Sequence, residues 1–372
     1  VDKILFLSSN TTGSGHRSIT QALYYQLKKI NPEVSIEEQE AFSLGGGFTK
    51  VLAKMYNKVA VFAPKLWGHV YKISNKFALF INFSAEHIIK RKFIRLIKQI
   101  NPDLIVTVHP GFVGSINNIL KKNGINIPVI VVVADFDNIT KIWADKNTLY
   151  TLCPTKESYN SMLKYGVSED RLKLFGFPVR DEFNHIDSEN VEREIACDID
   201  NKRINFLIMN GSEGEYYSKR IAENLLEKFD CNVTILAGKD AILKNTLEHY
   251  LKTKYEDRVE VYGFTDKVQY YMMKADILLV RASPNVLMEA INLCKPIIIT
   301  GSFTGQEEKN PEFIINNKLG IECKDINSLI PIVDGLIADN GKKLKEIKRN
   351  QLEFRKPNAA YDMAKFIINQ LK

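Results

Sequence analysis

The first group in this chain able to move a proton near neutral pH is His16, placed directly after a glycine turn. The apolar run Ile4 to Ser8 gives way to Ser9-Asn10-Thr11-Thr12-Gly13-Ser14-Gly15-His16, and the helical pattern of Ser18 to Ile30 follows. A glycine turn between strand and helix brings backbone N–H groups and a helix N-terminus to the carboxyl end of a sheet, where α/β proteins hold ligands. The turn lacks the three glycines of a dinucleotide fingerprint and the Gly-Lys-Ser/Thr ending of a P-loop. A neutral imidazole at that place is suited to act as a base, although spacing alone equally allows a cap-region histidine without a partner. A second group, Asp135, follows the apolar run Val129 to Ala134, where it is either a carboxylate facing the same ligand region or a loop cap.

The second half repeats the strand-to-helix junction with different residues. Met209-Asn210-Gly211-Ser212-Glu213-Gly214 is one such turn, and Gly263-Phe264-Thr265 closes another apolar run. Ala282-Ser283-Pro284-Asn285 opens a helix whose N-terminus suits a diphosphate, with Glu289 one turn later to accept bonds from ribose hydroxyls. The loop Gly305-Gln306-Glu307 with Asn310 supplies the amides and carboxylates that read sugar hydroxyls. Each turn alone is explained by capping chemistry. Together, at successive strand ends, they favour a nucleotide-sugar site.

Short continuous apolar runs must position these groups. They span Ile4 to Ser8, Leu104 to Val108, Val129 to Ala134, Phe206 to Met209, Val233 to Ala237, Val259 to Tyr262, Ile277 to Val280 and Ile297 to Thr300. Runs without in/out alternation, separated by helical patterns, predict parallel strands buried on both faces. An acid-rich stretch between Phe183 and Arg203 interrupts the series, so the expected domains are 1–185 and 204–355, joined by a linker over 186–203. A helix over 356–372 is expected to pack back on the first domain. The fold class is α/β: two Rossmann-like domains with parallel sheets facing across a cleft.

The 372 residues carry a net charge of +7, and the excess is local. Residues 48–100 hold eleven Lys and Arg against the single acid Glu86, with nine aromatics interleaved. Val51, Leu52, Met55, Tyr56, Val59 and Phe62 share one helical face, and Ile89, Phe93, Leu96, Ile97 and Ile100 share another. For the second helix the pattern fits core packing; for Phe48 to Phe83 it fits an anionic membrane surface. No nucleic-acid motif accompanies the charge, so nucleic acid is not expected as a partner. The longest stretch free of charged residues, Leu104 to Leu120, contains His109, Pro110 and two glycines, and predicts no membrane span. Five scattered cysteines without a Cys-x-x-Cys pair suggest neither a disulfide framework nor a zinc site, and fit a reducing cytoplasm. The first residues read as a strand, so export is not expected.

As a set, the motifs resemble the GT-B glycosyltransferases of the monogalactosyldiacylglycerol synthase and processive diacylglycerol glucosyltransferase family, relatives of MurG. The resemblance spans nearly the whole chain and rests on Gly13-Ser14-Gly15-His16, Asp135-Phe136 with Trp143, Gly176-Phe177-Pro178-Val179-Arg180, Gly263-Phe264-Thr265, Glu289-Ala290 and Gly305-Gln306-Glu307 with Asn310. It implies inverting, metal-independent transfer of a hexose from UDP-glucose or UDP-galactose to diacylglycerol, with no cofactor. By the likeness His16 or Asp135 deprotonates the acceptor, and Gly13, Ser14, Gly15, Pro178 and Arg180 lie on the acceptor side. Gly211, Ser212, Gly214, Gly263, Phe264, Thr265, Ala282, Ser283, Pro284, Asn285, Glu289, Gln306, Glu307 and Asn310 hold the donor. Residues 48–100 dock on an anionic membrane, which implies a peripheral protein on the inner face of the cell membrane. The chain departs from the family pattern at Thr140, where a histidine is usual, and at Glu213. A UDP-N-acetylglucosamine transferase or 2-epimerase, and a UDP-sugar binder without catalysis, stay open.

Overall fold

The computed structural model describes residues 2–9, 15–46, 68, 77–197, 203–210 and 215–371. The chain divides into two compact units. Unit 1 comprises Val1–Asp181, Phe303–Lys309 and Lys356–Lys372, and unit 2 comprises Glu182–Ser302 and Asn310–Arg355.

Unit 1 is built on six parallel strands, β1 (Lys3–Ser8), β2 (Ser35–Glu40), β3 (Leu104–Thr107), β4 (Val129–Val132), β5 (Tyr150–Cys153) and β6 (Leu172–Leu174), in the order β2-β1-β3-β4-β5-β6. Every residue of β3 and β4 is buried, as expected of central parallel strands covered on both faces. The chain leaves β1 for β2 on one side and returns to β3 on the other. The carboxyl ends of β1 and β3 therefore flank a topological switch point, where open α/β sheets bind ligands.

The helix Gly15–Ile30 buries Ile19, Ala22, Leu23 and Leu27 at helical spacing. Against it packs the helix Ala359–Ile368, whose buried residues are Ala359, Ala360, Met363, Ala364 and Ile367. Gly176 allows the close approach of this returning segment. It has φ +110°, and an added Cβ would lie 2.8 Å from Cβ of Lys356. The helix Ala78–Ile100 buries Ile89, Phe93 and Ile97 in a core shared with Leu5, Leu7, Ile105, Ile116 and Val129.

Unit 2 is built on β7 (Ile204–Met209), β8 (Cys231–Leu236), β9 (Val259–Tyr262), β10 (Ile277–Arg281), β11 (Ile297–Gly301) and β12 (Gly320–Glu322), all parallel, in the order β12-β11-β10-β7-β8-β9. Its switch point lies between β7 and β10. The helices Glu215–Lys228 and Ala241–Tyr255 cover one face through Ile221, Leu225, Leu243, Leu247 and Leu251. The register of β10 against β11 shifts between Val280 and Arg281, which bends the chain just before Ala282.

The polar stretch expected as a linker over 186–203 contains the helix Ser188–Ala196, and the division between units falls earlier, at Asp181/Glu182. That helix has one apolar stripe. Val191 and Ile195 are buried with Cys294 against Ile186 and Leu352, and the Arg355 guanidinium donates to the Ile186 and Asn292 carbonyls and to Ser188 Oγ.

Candidate functional site

At the switch point of unit 1, three strand ends bring titratable side chains together. His16 opens the helix after β1, His109 follows β3, and Asp135 follows β4. All three are buried, His16 at 8% and Asp135 at 6% exposure. The His16 and His109 rings lie 4.8 Å apart, and Trp143 is 6.4 Å from His16 on another side. Trp143 Nε1 donates to one Asp135 oxygen at 3.1 Å, and Gln306 Nε2 donates to the other at 3.2 Å. Asp135 is thereby fixed by two neutral donors, which favour its ionised form.

Local structure explains each placement. The Lys141–Trp143 turn follows Thr140 and turns a fully buried Trp143 back toward Asp135. The segment Phe303–Lys309 belongs to unit 1, with Asn138 Nδ2 donating to the Gly305 carbonyl and Glu307 accepting from its own Phe303 N–H at 2.9 Å. His109 caps the short turn Pro110–Phe112: its Nδ1 accepts from Gly111 N–H at 3.1 Å. The second ring nitrogen, Nε2, must therefore carry the proton of the neutral form.

Burial pushes His16 below the ordinary histidine value, opposed by the Asp135 charge, a hydrogen bond to the Val108 backbone and the Glu40 charge. The His16 Nδ1 is buried with no hydrogen-bond partner among the described residues. Burial likewise raises Asp135, opposed by His16, Gln306 and Trp143. His109 lies well below the ordinary value through burial and then the neighbouring His16 charge. Such an arrangement is able to provide a neutral imidazole as a base and a carboxylate to stabilise the imidazolium formed when it takes a proton.

Unit 2 assembles a different kind of site. Ser283 is the N-cap of the helix Pro284–Asn292, makes no side-chain cap bond, and is followed by Pro284 in the first turn. The first-turn amides at Asn285 and Val286 therefore have no side-chain cap from Ser283, and together with the helix dipole they suit an anion. Asn310 Nδ2 donates to the Ala282 carbonyl at 2.9 Å and holds the approach to this helix. Asn210, after β7, accepts from the Thr300 hydroxyl at 2.7 Å, while its buried Nδ2 has no partner among the described residues. Glu289 is buried one turn into the helix. Thr265 Oγ1 accepts from Lys267 N–H at 3.0 Å, and Phe264, 68% exposed, has Lys239 Nζ 5.0 Å from its ring centroid.

The expected residues thus fall into separate groups. His16 and Asp135 meet in unit 1, where Gln306, expected with the donor set, also lies; Glu307 is in the same segment. Gly263, Phe264, Thr265, Ala282, Ser283, Pro284, Asn285, Glu289 and Asn310 are in unit 2. Pro178 is buried and Arg180 half-buried in the loop after β6, next to Asp181, which accepts from Gln26 at 2.7 Å. Gly15 begins its helix. Gly13, Ser14, Gly211, Ser212 and Gly214, like the departure Glu213, lie outside the described residues, as do residues 48–76 apart from Gly68.

His109 was not among the expected site residues. Its signal is its position: it follows the strand that neighbours β1, so its strand end must lie beside the first turn. Among the described residues no group of three His, Cys, Asp or Glu side chains is placed to hold a metal ion, and no helix is long and apolar enough to cross a membrane. The helix Ala78–Ile100 exposes Arg91, Lys92, Arg95 and Lys98, and also Phe83 and Ile88, with Phe77 exposed just before it.

Comparison with known proteins places both units. Residues 16–179 match the family model of monogalactosyldiacylglycerol (MGDG) synthase, and residues 206–365 match the glycosyltransferase family 28 C-terminal domain. A processive diacylglycerol beta-glucosyltransferase of Bacillus licheniformis is 26% identical over 99% of this chain and 94% of its own length. The chloroplastic monogalactosyldiacylglycerol synthase 3 of Arabidopsis thaliana is 24% identical over 99% of this chain and 81% of its own. The crystal structure of Acinetobacter baumannii MurG matches with TM-score 0.61 and 12% identity, covering 99% of this chain and 100% of that one, and shares the α/β GT-B fold.

Proposed function

This chain belongs to the GT-B glycosyltransferase family of monogalactosyldiacylglycerol synthases and processive diacylglycerol glucosyltransferases, and from that premise we propose that it transfers a hexose from a UDP-sugar to diacylglycerol. The observation that carries the chemistry is the buried His16, held below the ordinary histidine value, whose Nδ1 has no hydrogen-bond partner among the described residues, with the Asp135 charge acting on it. His16 draws the proton from the acceptor hydroxyl as its oxygen attacks the anomeric carbon. The bond from that carbon to the diphosphate breaks in the same step, giving inversion, and the proton rests on His16 facing the Asp135 carboxylate.

The leaving UDP carries the negative charge that develops. The uncapped N-terminus of Pro284–Asn292 supplies N–H donors and a positive dipole end, so neutralisation needs no metal in this reading. Glu289 accepts from the ribose hydroxyls, and Phe264 offers an exposed ring to the base. The acceptor's lipid nature requires a membrane surface. Arg91, Lys92, Arg95 and Lys98, with the exposed Phe77, Phe83 and Ile88, are suited to anionic headgroups and acyl chains on the inner face of the cell membrane, each cation contributing about 1 kcal/mol there.

The test is UDP release from UDP-glucose and from UDP-galactose, each with and without diacylglycerol in anionic vesicles, followed by lipid chromatography. Release that requires diacylglycerol and yields a glycolipid supports the reading and identifies the sugar. UDP-sugar binding without release in any of the four conditions overturns it, and lipid-independent conversion of the UDP-sugar would mark an epimerase.

A further inference from the structure

His109 lies outside the set of residues that the sequence pattern assigns to catalysis, yet its ring is packed against the base. Among the described residues its ring also meets two phenylalanines: Phe42 and Phe112 lie 5.1 Å and 5.4 Å from it, centroid to centroid, and Phe42 and Phe112 stack edge-on to each other at 5.1 Å. His109 therefore stands between His16 and an aromatic wall. Its own basic lone pair, on Nδ1, is occupied by the Gly111 N–H. Protonating Nδ1 would set two N–H groups against each other and release the cap of the Pro110–Phe112 turn.

We propose that His109 is a positioning residue for the transfer reaction: held as the neutral Nε2–H tautomer by Gly111, it closes one side of the His16 ring to water. The proton taken from the acceptor then stays on His16, opposite Asp135, rather than passing to the second imidazole. Among the described residues, the charged and titratable groups that face His16 are Asp135 beyond β4, Glu40 at the end of β2 and His109 beyond β3. Asp135 and Glu40 both favour a charged His16; burial opposes them, and the His109 ring is part of that burial. The assignment of His16 as base rests on the transfer reading, whereas the tautomer and shielding do not.

Two variants separate shielding from simple packing. His109→Asn keeps an oxygen for the Gly111 N–H and removes the ring; His109→Phe keeps a ring and removes both nitrogens. The experiment is a pH titration of the imidazole nitrogens by NMR in the full chain without substrate, with His16 and His109 signals assigned by substitution. The wild-type protein is expected to show His109 as Nε2–H throughout the titration of His16, with His16 titrating below the ordinary histidine value. In His109→Asn the His16 midpoint moves up toward the ordinary value, and in His109→Phe it stays near that of the wild type.

Turnover follows the same logic. If His16 in His109→Asn titrates at about 6.5, then kcat at pH 6 falls about fourfold below its own plateau at pH 8, while KM for the UDP-sugar is unchanged. An unmoved His16 midpoint in His109→Asn overturns the proposal, as does a wild-type His109 that takes a proton before His16. The wild-type measurement decides the tautomer even if His109→Asn fails to fold. An absence of glycolipid product in the wild-type protein would overturn the transfer reading and leave the NMR result standing.

Discussion

At the ends of β1, β3 and β4, unit 1 gathers the buried side chains of His16, His109 and Asp135, with the two imidazoles in ring contact and Asp135 accepting from Trp143 and Gln306. At the ends of β7 and β10, unit 2 gathers a helix N-terminus without a side-chain cap at Ser283 and small polar groups, Asn210 bonded to the Thr300 hydroxyl and Asn310 to the Ala282 carbonyl. Both sets occupy a switch point in a six-stranded parallel sheet, although unit 1 carries one strand beyond its switch and unit 2 carries two. On the proposed function, the same architectural position serves two tasks. Moving a proton needs groups whose protonation is tuned by burial, while holding an anion needs fixed N–H groups whose charge never changes.

The contrast is broken most severely by removing the base. His16→Ala is expected to lower kcat roughly 10² to 10⁴-fold with little change in KM for the UDP-sugar, measured as lipid-dependent UDP release. A variant with wild-type turnover would take proton transfer away from His16.

Asp135→Asn is next, with a loss of roughly 10²-fold in kcat, because the imidazolium loses its opposing charge. It also sharpens the electrostatics. Activity requires neutral His16, so it is present above the His16 pKa and lost as pH falls through it. Asp135 raises that pKa, and its removal must move the acid limb of the pH profile to lower pH, the direction opposite to that expected for His109→Asn. A limb that moved up, or stayed, would show that the carboxylate does not act on His16.

The smallest effect belongs to unit 2. Glu289→Gln should raise KM for the UDP-sugar about tenfold, by weakening charge-assisted bonds to the donor, and leave the acid limb where it was. A shifted limb would mean that the two sets of groups are electrostatically linked after all.

Much of this was readable before any coordinates, and the exceptions have physical causes. Strands such as Val129–Val132 and Ile277–Arg281 carry continuous apolar runs because both faces are covered. The edge strand β2 reads Ser-Ile-Glu-Glu-Gln-Glu, and with few of its side chains in the core it offers no hydrophobic signal. β6 and β12 have three residues each, too short for any period. His16 and Asp135 stand out as polar groups directly after apolar strands. His109 is hidden because the reading follows chain order, whereas its partnership depends on β3 lying beside β1. Gln306 is similar. Its loop lies in chain order between β11 and the helix Asn310–Asn316, both of unit 2, and only the fold shows that it bonds Asp135.

The return of the chain to unit 1 has a consequence for biosynthesis. The sheet of unit 1 is complete once Leu174 has emerged, but the helix Gly15–Ile30, which also touches β1, gains its packing against Ala359–Ile368 only when that last helix is made. At ordinary translation speeds the intervening residues take roughly 10–40 s to appear, and throughout that interval the first-made unit waits without the partner of that helix. Unit 2 lies wholly within that interval, so it is the first to have all its parts, and the unit begun first is the last to close.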